Sequence, residues 1–285
     1  DTINYVSSVR NQGVFGTCWS FAVMASIESN WLIHTQEEFN LSEKNMITCH
    51  GFNWGINDGG NASIASAYLT RHAGLMKEKW DTYSSLTEES ECQTEELGLE
   101  PFAYIGGIRY IPPDEYAIKQ AIKQFGALYI SMQWADEYYH SGTNSYSRTG
   151  EKGSGHAVTI VGWDDTKVTI GGIGAWIVKN TWGYGWGDNG YFYLSYNDNY
   201  APSSVTAFIN KKNNNNADTL LYHDKYGHTR NYGYNDSQGI YAVAKFNNEG
   251  DYTHIRAGTY INSYGTCLSI VLCDSMITDE QARFV

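Results

Sequence analysis

The sequence predicts an α+β fold in two subdomains with a cleft between them, and three observations carry that prediction. From Trp19 to Phe125 apolar residues recur mainly at helical spacing. From Ala127 to Tyr196 the pattern changes to short β-rich runs separated by glycine-rich turns. A helical part therefore packs against a β-barrel-like part, and a ligand site is expected where the two meet. The third observation is the polar tract KKNNNN at 211–216, which reads as a linker to further strand-like runs. The expected organisation is one domain over 1–212 and a second unit over 213–285. That tail is shorter than the roughly 100 residues of a β-sandwich, so it reads as a partial β-sandwich-like module.

Taken in order, residues 1–11 form an extended lead-in with alternating Tyr5, Ser7 and Val9. Gln12 to Trp31 is a glycine-flanked loop followed by a helix with Phe21, Met24, Ala25 and Trp31 on its apolar side, and Cys18 falls in the first turn. Ser42 and Asn45 suggest a short capped helix within 41–49. Gly51 to Asn61 is a Gly/Asn loop whose backbone can approach a bound chain. A helix from Ala62 is stopped by Gly74, and 80–100 reads as an acidic surface loop. After Pro112 and Pro113 a helix buries Tyr116, Ile118, Ala121, Ile122 and Phe125, and Gly126 ends it. Strands are expected at 127–134, 156–163, 175–180 and 190–196, with a long loop over 164–174.

Composition narrows the function classes. The 285 residues are 42% apolar, enough for a full core. Residues 1–212 hold 14 basic and 23 acidic side chains and the tail holds 5 and 8, so no basic patch offers itself to nucleic acid. No run of 18 apolar residues suggests membrane insertion. Five cysteines (18, 49, 92, 267, 273) leave at least one unpaired within the monomer. The absence of CxxC and HExxH motifs gives a zinc site little support. Glycosylation-type triplets stand at Asn40, Asn61 and Asn235 and are discounted as chance matches, Asn61 lying in the expected cleft.

A thiol at a helix N-terminus feels a field that favours its thiolate, by about 0.3–1 kcal/mol. Alone, such a cysteine is more often a small buried hydrophobe. A nucleophilic cysteine needs a base, and the base needs an orienting group. His156 follows the flexible GSG of 153–155 and opens an apolar strand, and Asn180 ends the next long strand. These are the candidate base and its orienter.

With these residues in place the chain resembles the papain-like cysteine peptidases. QGVFGTCWSF at 12–21, LSEKNMITC with DGG at 58–60, GHAVTIVGW at 155–163 and KNTWGYGWGDNGYF at 179–192 match that family's four boxes in order. His156 and Asn180 follow Cys18 by 138 and 162 residues, against about 130–150 in the family. The resemblance implies a papain-like fold in which Cys18 is the nucleophile, His156 the acid and base, and Asn180 its orienter. It also makes Gln12 an oxyanion donor alongside the Cys18 backbone N–H, and Trp182 a shield over the Asn–His bond. Gly59 and Gly60 would offer backbone groups to a peptide, a tight turn being their alternative reading. Asn61, Ala62 and Ala157 would border the neighbouring subsites, with Ser203 or Ser204 beside them. The family's disulfide near the nucleophile is missing, because Phe15 stands in place of a cysteine and GINDGG lacks the partner. Packing is expected to hold the loop instead. Cys49 and Cys92 resemble another family bridge.

The implied activity is a cysteine endopeptidase that hydrolyses polypeptides through a thioester acyl-enzyme and is made as a zymogen with a removable inhibitory propeptide. No cofactor is required for that chemistry. The alternatives are a papain-fold peptidoglycan amidase or transpeptidase, and a non-catalytic adhesin. The tail resembles the lectin-like β-module of bacterial secreted or cell-surface members, which implies that location and a possible cell-wall glycan or protein partner. Structural calcium on Asp224, Asn235 and Asp236 is a weak expectation, solvated turn residues being the competing reading.

Overall fold

A computed structural model of the chain describes residues 5–214. The expectations placed on 215–285, including Asp224, Asn235, Asp236 and the strands of the module, lie outside the described residues. In chain order the elements are α1 (Cys18–Thr35), α2 (Glu43–Cys49), α3 (Ala62–Thr70), β1 (Ala103–Tyr110), α4 (Glu115–Phe125), β2 (Leu128–Trp134), β3 (Tyr139–His140), β4 (Ser145–Tyr146), β5 (Ser154–Thr169), β6 (Gly172–Lys179), β7 (Tyr191–Ser195) and β8 (Ser203–Asn213). Short 3-10 turns lie at Tyr83–Ser85 and Asp136–Tyr138. The strands form one sheet in the order β1-β8-β2-β5-β6-β7-β4-β3, antiparallel except for the β4–β7 pair. This is the expected α+β architecture, helical at its N-terminal end and sheet-rich beyond.

Helix α1 is the centre of the fold. Every residue from Trp19 to Trp31 is buried, so its polar side chains need internal partners. The serines and the asparagine have them, although the indole N–H groups of Trp19 and Trp31 find none among the described residues: Ser20 donates to Glu43 O, Ser26 to Ala127 O, and Asn30 to Phe125 O, while Ser29 Oγ accepts from Ala127 N. One buried cluster joins α1 to α2, α3 and the near side of the sheet through Trp19, Met24, Trp31, Met46, Tyr68 and Phe208. A second lies on the other side of the sheet under α4, around Ile118, Leu128, Trp176, Val178 and Phe192. Each fully buried large apolar side chain contributes roughly 1.5–3 kcal/mol, so two such clusters outweigh any single hydrogen bond.

Several local expectations are corrected. α3 ends at Thr70 rather than running to Gly74, because His72 already takes a left-handed φ of 58°. Tyr116 is 75% exposed; the buried face of α4 is made by Ile118 and Ala121, with Ile122 and Phe125 half-buried. The predicted 164–174 loop is a hairpin: β5 and β6 continue outward with Val168 opposite Ile173 and Thr169 opposite Gly172. β1 was not expected at all, and the tract read as a linker from Lys211 begins inside β8, where Lys211 pairs with Ile105 and Asn213 with Ala103.

The Cys49–Cys92 disulfide is present, closing a separation of 43 residues and tying the end of α2 to the acidic loop. Closing a loop of that size in the unfolded chain typically contributes about 2–4 kcal/mol. Replacing both residues by serine is expected to lower the unfolding free energy by that amount in a urea titration.

Candidate active site

Cys18 is the first residue of α1 and a half-buried free thiol. Its sulfur accepts from the backbone N–H of Ala157 at 3.4 Å, which places it against β5 one residue after His156. Four residues further along α1 and two further along β5 a second rung holds the same register: Thr159 Oγ1 donates to Ala22 O at 3.2 Å. The helix start and the histidine strand are thereby fixed to one another.

His156 Nε2 and Asn180 Oδ1 lie 2.9 Å apart, both side chains buried. The backbone N–H of Thr181 donates to the same Asn180 atom at 2.9 Å, so that atom is the carbonyl oxygen and the imidazole must be the donor. Nε2 therefore carries hydrogen, and Nδ1 is left as the ring's proton acceptor. Trp182 lies face-on against the imidazole, with centroids 4.8 Å apart and planes 20° from parallel. Trp134 and Trp186 pack edge-on to Trp182, each at 4.9 Å. These two tryptophans were not foreseen as part of the site. Trp134 could have been noticed as the last residue of the strand that pairs with β5, where it lies opposite Ser154.

Gln12 is positioned by its neighbours on both sides. Its backbone N–H donates to Thr181 O at 2.8 Å, and Gly183 N to Arg10 O at 3.0 Å, so the lead-in runs beside the asparagine loop. The Gln12 side chain accepts from Thr181 Oγ1 at 2.5 Å and donates to Phe15 O at 2.8 Å. One amide hydrogen of Nε2 remains for a ligand. The loop without its disulfide is held by more than the expected packing. Phe15 does pack on the core, and in addition Gly16 N donates to Asn57 Oδ1 at 3.1 Å, in the GINDGG stretch.

The glycine pair differs within itself. Gly59 has φ +78° and open space around it, whereas a Cβ on Gly60 would stand 2.3 Å from the Trp19 ring, so Gly60 is required by close approach to the helix that carries Cys18. The Asn61 side chain is committed to capping α3, accepting from Ser63 N and Ile64 N. Ala62 and Ala157 are buried in one cluster with Tyr129, and Ser203 Oγ donates to Ser131 O. Ser204 is exposed.

Electrostatics of the pair favour neutrality group by group. Burial pushes the Cys18 thiol up, against the N–H groups of Ala157, Trp19 and Cys18, which favour the thiolate. Burial pulls His156 down to about 4, against the bond to Asn180. Passing one proton from sulfur to nitrogen charges both groups together and lets each offset the other's burial. At about 4 Å and an effective dielectric of 20 the attraction of such a pair is about 4 kcal/mol, larger than a helix terminus supplies.

Behind Asn180 lies a small cavity lined by Arg10, Glu28, Glu43, Thr159, Lys179 and Asn180. Arg10 bridges Glu28 at 2.9 Å and Glu43 at 3.1 Å, and Lys179 donates to Ser7 O at 2.8 Å. Burial raises Glu43 to about 8 even beside Arg10, which it shares with Glu28, and lowers Lys179 to about 8. No group of three or more His, Cys, Asp or Glu that could hold a metal occurs among the described residues.

Residues 1–212 match the model of the papain family cysteine proteases. The viral cathepsin of Lymantria dispar multicapsid nuclear polyhedrosis virus is 31% identical over 198 residues, covering 69% of this chain and 53% of that protein. The chain thus spans about half the length of that relative. Among solved structures, the clostridial cysteine protease Cwp84 after propeptide cleavage superposes with a TM-score of 0.66 at 25% identity, over 75% of this chain and 57% of that one. A second structure of Cwp84, a surface layer associated protein of Clostridium difficile, contains its cysteine protease and lectin-like domains and gives a TM-score of 0.65 at 25% identity, over 75% and 51% of the two chains. Digestive procathepsin L 3 of the Tenebrio molitor larval midgut gives 0.59 at 26% identity, over 72% and 67%.

The buried Glu43 makes stability depend on pH. Its folded value of about 8 lies above the ordinary 4.5, so between those values the unfolded chain releases a proton that the folded chain keeps, and stability falls as pH rises. Glu43→Gln is expected to flatten that decline. Thermal melts at pH 5 and pH 8 should show a smaller loss of Tm in the variant than in the parent.

Proposed function

The chain belongs to the papain family of cysteine proteases, and from that premise we propose that it is a cysteine endopeptidase acting on polypeptides through a thioester acyl-enzyme. The observation that carries this reading is the convergence of three separate chain segments: the Cys18 sulfur rests on Ala157 N while the neighbouring His156 is bonded to Asn180. In this reading the Cys18 sulfur attacks the peptide carbonyl carbon and its proton passes to His156 Nδ1. The negative oxygen that forms accepts from the Cys18 N–H and the remaining Gln12 Nε2 hydrogen. Collapse breaks the C–N bond, and the amine leaves with the proton from His156. Water then cleaves the thioester, with the imidazole serving as base and then acid. Asn180 keeps the ring in the tautomer this needs, and Trp182 covers their bond.

Gly59 and Gly60 offer backbone to an extended substrate, and the small residues Ala62, Ala157 and Ser203 favour apolar over basic side chains in the main pocket. The protein is made as a zymogen and works outside the cell or at a bacterial cell surface. Support for the last two points comes from the neighbours: one structure is a procathepsin, another follows propeptide cleavage, and Cwp84 is surface layer associated. The same reading makes 213–285 a partial lectin-like module that contacts cell-wall glycan or protein.

Profiling cleavage of an unfolded protein library beside muropeptides, with Cys18→Ala as control, tests the reading. Internal cuts in protein that vanish in Cys18→Ala are expected; amide cleavage confined to muropeptides, or activity that survives the substitution, would overturn it. Gln12→Ala is expected to lower kcat about 10²–10³-fold with KM little changed. A loss under threefold in steady-state kinetics would remove Gln12 from the oxyanion site.

A further inference from the structure

The loop that delivers Gln12 and Cys18 contains Gly13 at φ +63° and Gly16, and no disulfide pins it among the described residues. We infer that Tyr83, from the loop beyond α3, is the positioning residue that holds its two ends at the spacing the oxyanion donors need. This rests on the peptidase reading above.

The Tyr83 hydroxyl lies 2.6 Å from Gln12 O and 2.7 Å from Thr17 Oγ1. A phenol has one hydrogen, and the Gln12 carbonyl can only accept, so Tyr83 donates to Gln12 and accepts from Thr17. One oxygen thus closes the span between the residue that supplies the side-chain donor and the residue before the one that supplies the backbone donor. The N-terminus of α1 gives a second, independent sign. Thr17 is the N-cap residue, a place where threonine ordinarily accepts from the first turn, yet its side chain makes no capping bond. Its fully buried hydroxyl is turned to Tyr83 instead, and the Ser20 N–H of the first turn takes the Thr17 carbonyl at 3.0 Å.

Tyr83 is itself held from the far side. Its ring stands edge-on to Phe21 of α1 with centroids 4.7 Å apart, its backbone N–H donates to Glu78 Oε1 at 2.8 Å, and it begins the 3-10 turn Tyr83–Ser85. It is therefore a fixed post. Without the hydroxyl, the loop keeps its ties at Gly16 and Thr181 but loses the one that spans its ends. A displacement of about 1 Å in a positioned group can cost on the order of 10²-fold in rate.

Tyr83→Phe keeps the ring against Phe21 and deletes both bonds. On a fluorogenic peptide, kcat is expected to fall tenfold or more with KM within twofold of the parent. Alkylation of Cys18 by iodoacetamide at pH 6, followed by peptide mass, should stay within twofold, because His156 and Asn180 are untouched. Thr17→Val, which removes the other partner, should repeat the split, and Thr17→Ser should restore most of the rate. A kcat within twofold of the parent in both Tyr83→Phe and Thr17→Val overturns the inference. So does a fall in kcat matched by an equal fall in alkylation, which would mark general damage around Cys18. If Tyr83→Phe fails to fold, the Thr17 pair decides by the same criteria. A parent without any Cys18-dependent cleavage overturns the peptidase reading and this inference together, whereas an active parent with unchanged variants overturns this one alone.

Discussion

Everything at this site depends on the burial of α1 on all sides. A helix with one wet face can slide or rotate a little at small cost, but here Ser20, Ser26, Ser29 and Asn30 point into protein and each has a specific backbone partner. Leaving one such group unpaired costs about 1–3 kcal/mol, so a shift of one residue along the sheet would cost several such penalties at once. The helix therefore has one register. The rungs Cys18–Ala157 and Ala22–Thr159 are the part of that register that matters chemically, since they fix the sulfur relative to the strand that carries His156.

The same burial governs the electrostatics. Low polarity pushes the thiol up and the imidazole down, so burial disfavours each charge taken by itself. A proton moved from one to the other creates two charges of opposite sign, whose attraction grows as water is excluded. Trp182, backed by Trp134 and Trp186, excludes water from one face of the imidazole. Behind Asn180, Arg10 ties the lead-in to Glu28 of α1 and Glu43 of α2, and Lys179, next in sequence to Asn180, ties the asparagine strand to the lead-in through Ser7 O.

The boxes around Cys18, His156 and Asn180 were legible in the sequence through their resemblance to the papain family: a cysteine at a helix start, a histidine near the start of a strand, an asparagine just after the next one. The family match over residues 1–212 agrees with that reading. What escaped was whatever depends on a distant partner. β1, AYIGGIRY, carries two glycines and looks unlike a strand, yet it forms because β8 supplies a full antiparallel ladder. The same pairing draws Lys211 to Asn213 into β8 although their composition suggests a linker. Tyr116 has the right helical spacing for the core but falls where α4 has no neighbour above it. The 164–174 segment hides its hairpin because a register shift between Asp164 and Val168 breaks the alternation. Tyr83 lies in a polar stretch with no periodicity, and only the folded chain brings its hydroxyl to a loop 66 residues earlier.

His156, more than the helix end, is expected to make the Cys18 thiol reactive, and the rate of Cys18 alkylation by iodoacetamide between pH 5 and pH 9 in the parent and in His156→Ala tests this. The parent is expected to react faster than a free thiol at pH 6, and in His156→Ala this low-pH reactivity should disappear, with the thiolate forming only above the ordinary thiol range, as burial dictates. A parent no faster than a free thiol at pH 6, or a His156→Ala profile that matches the parent, would contradict it.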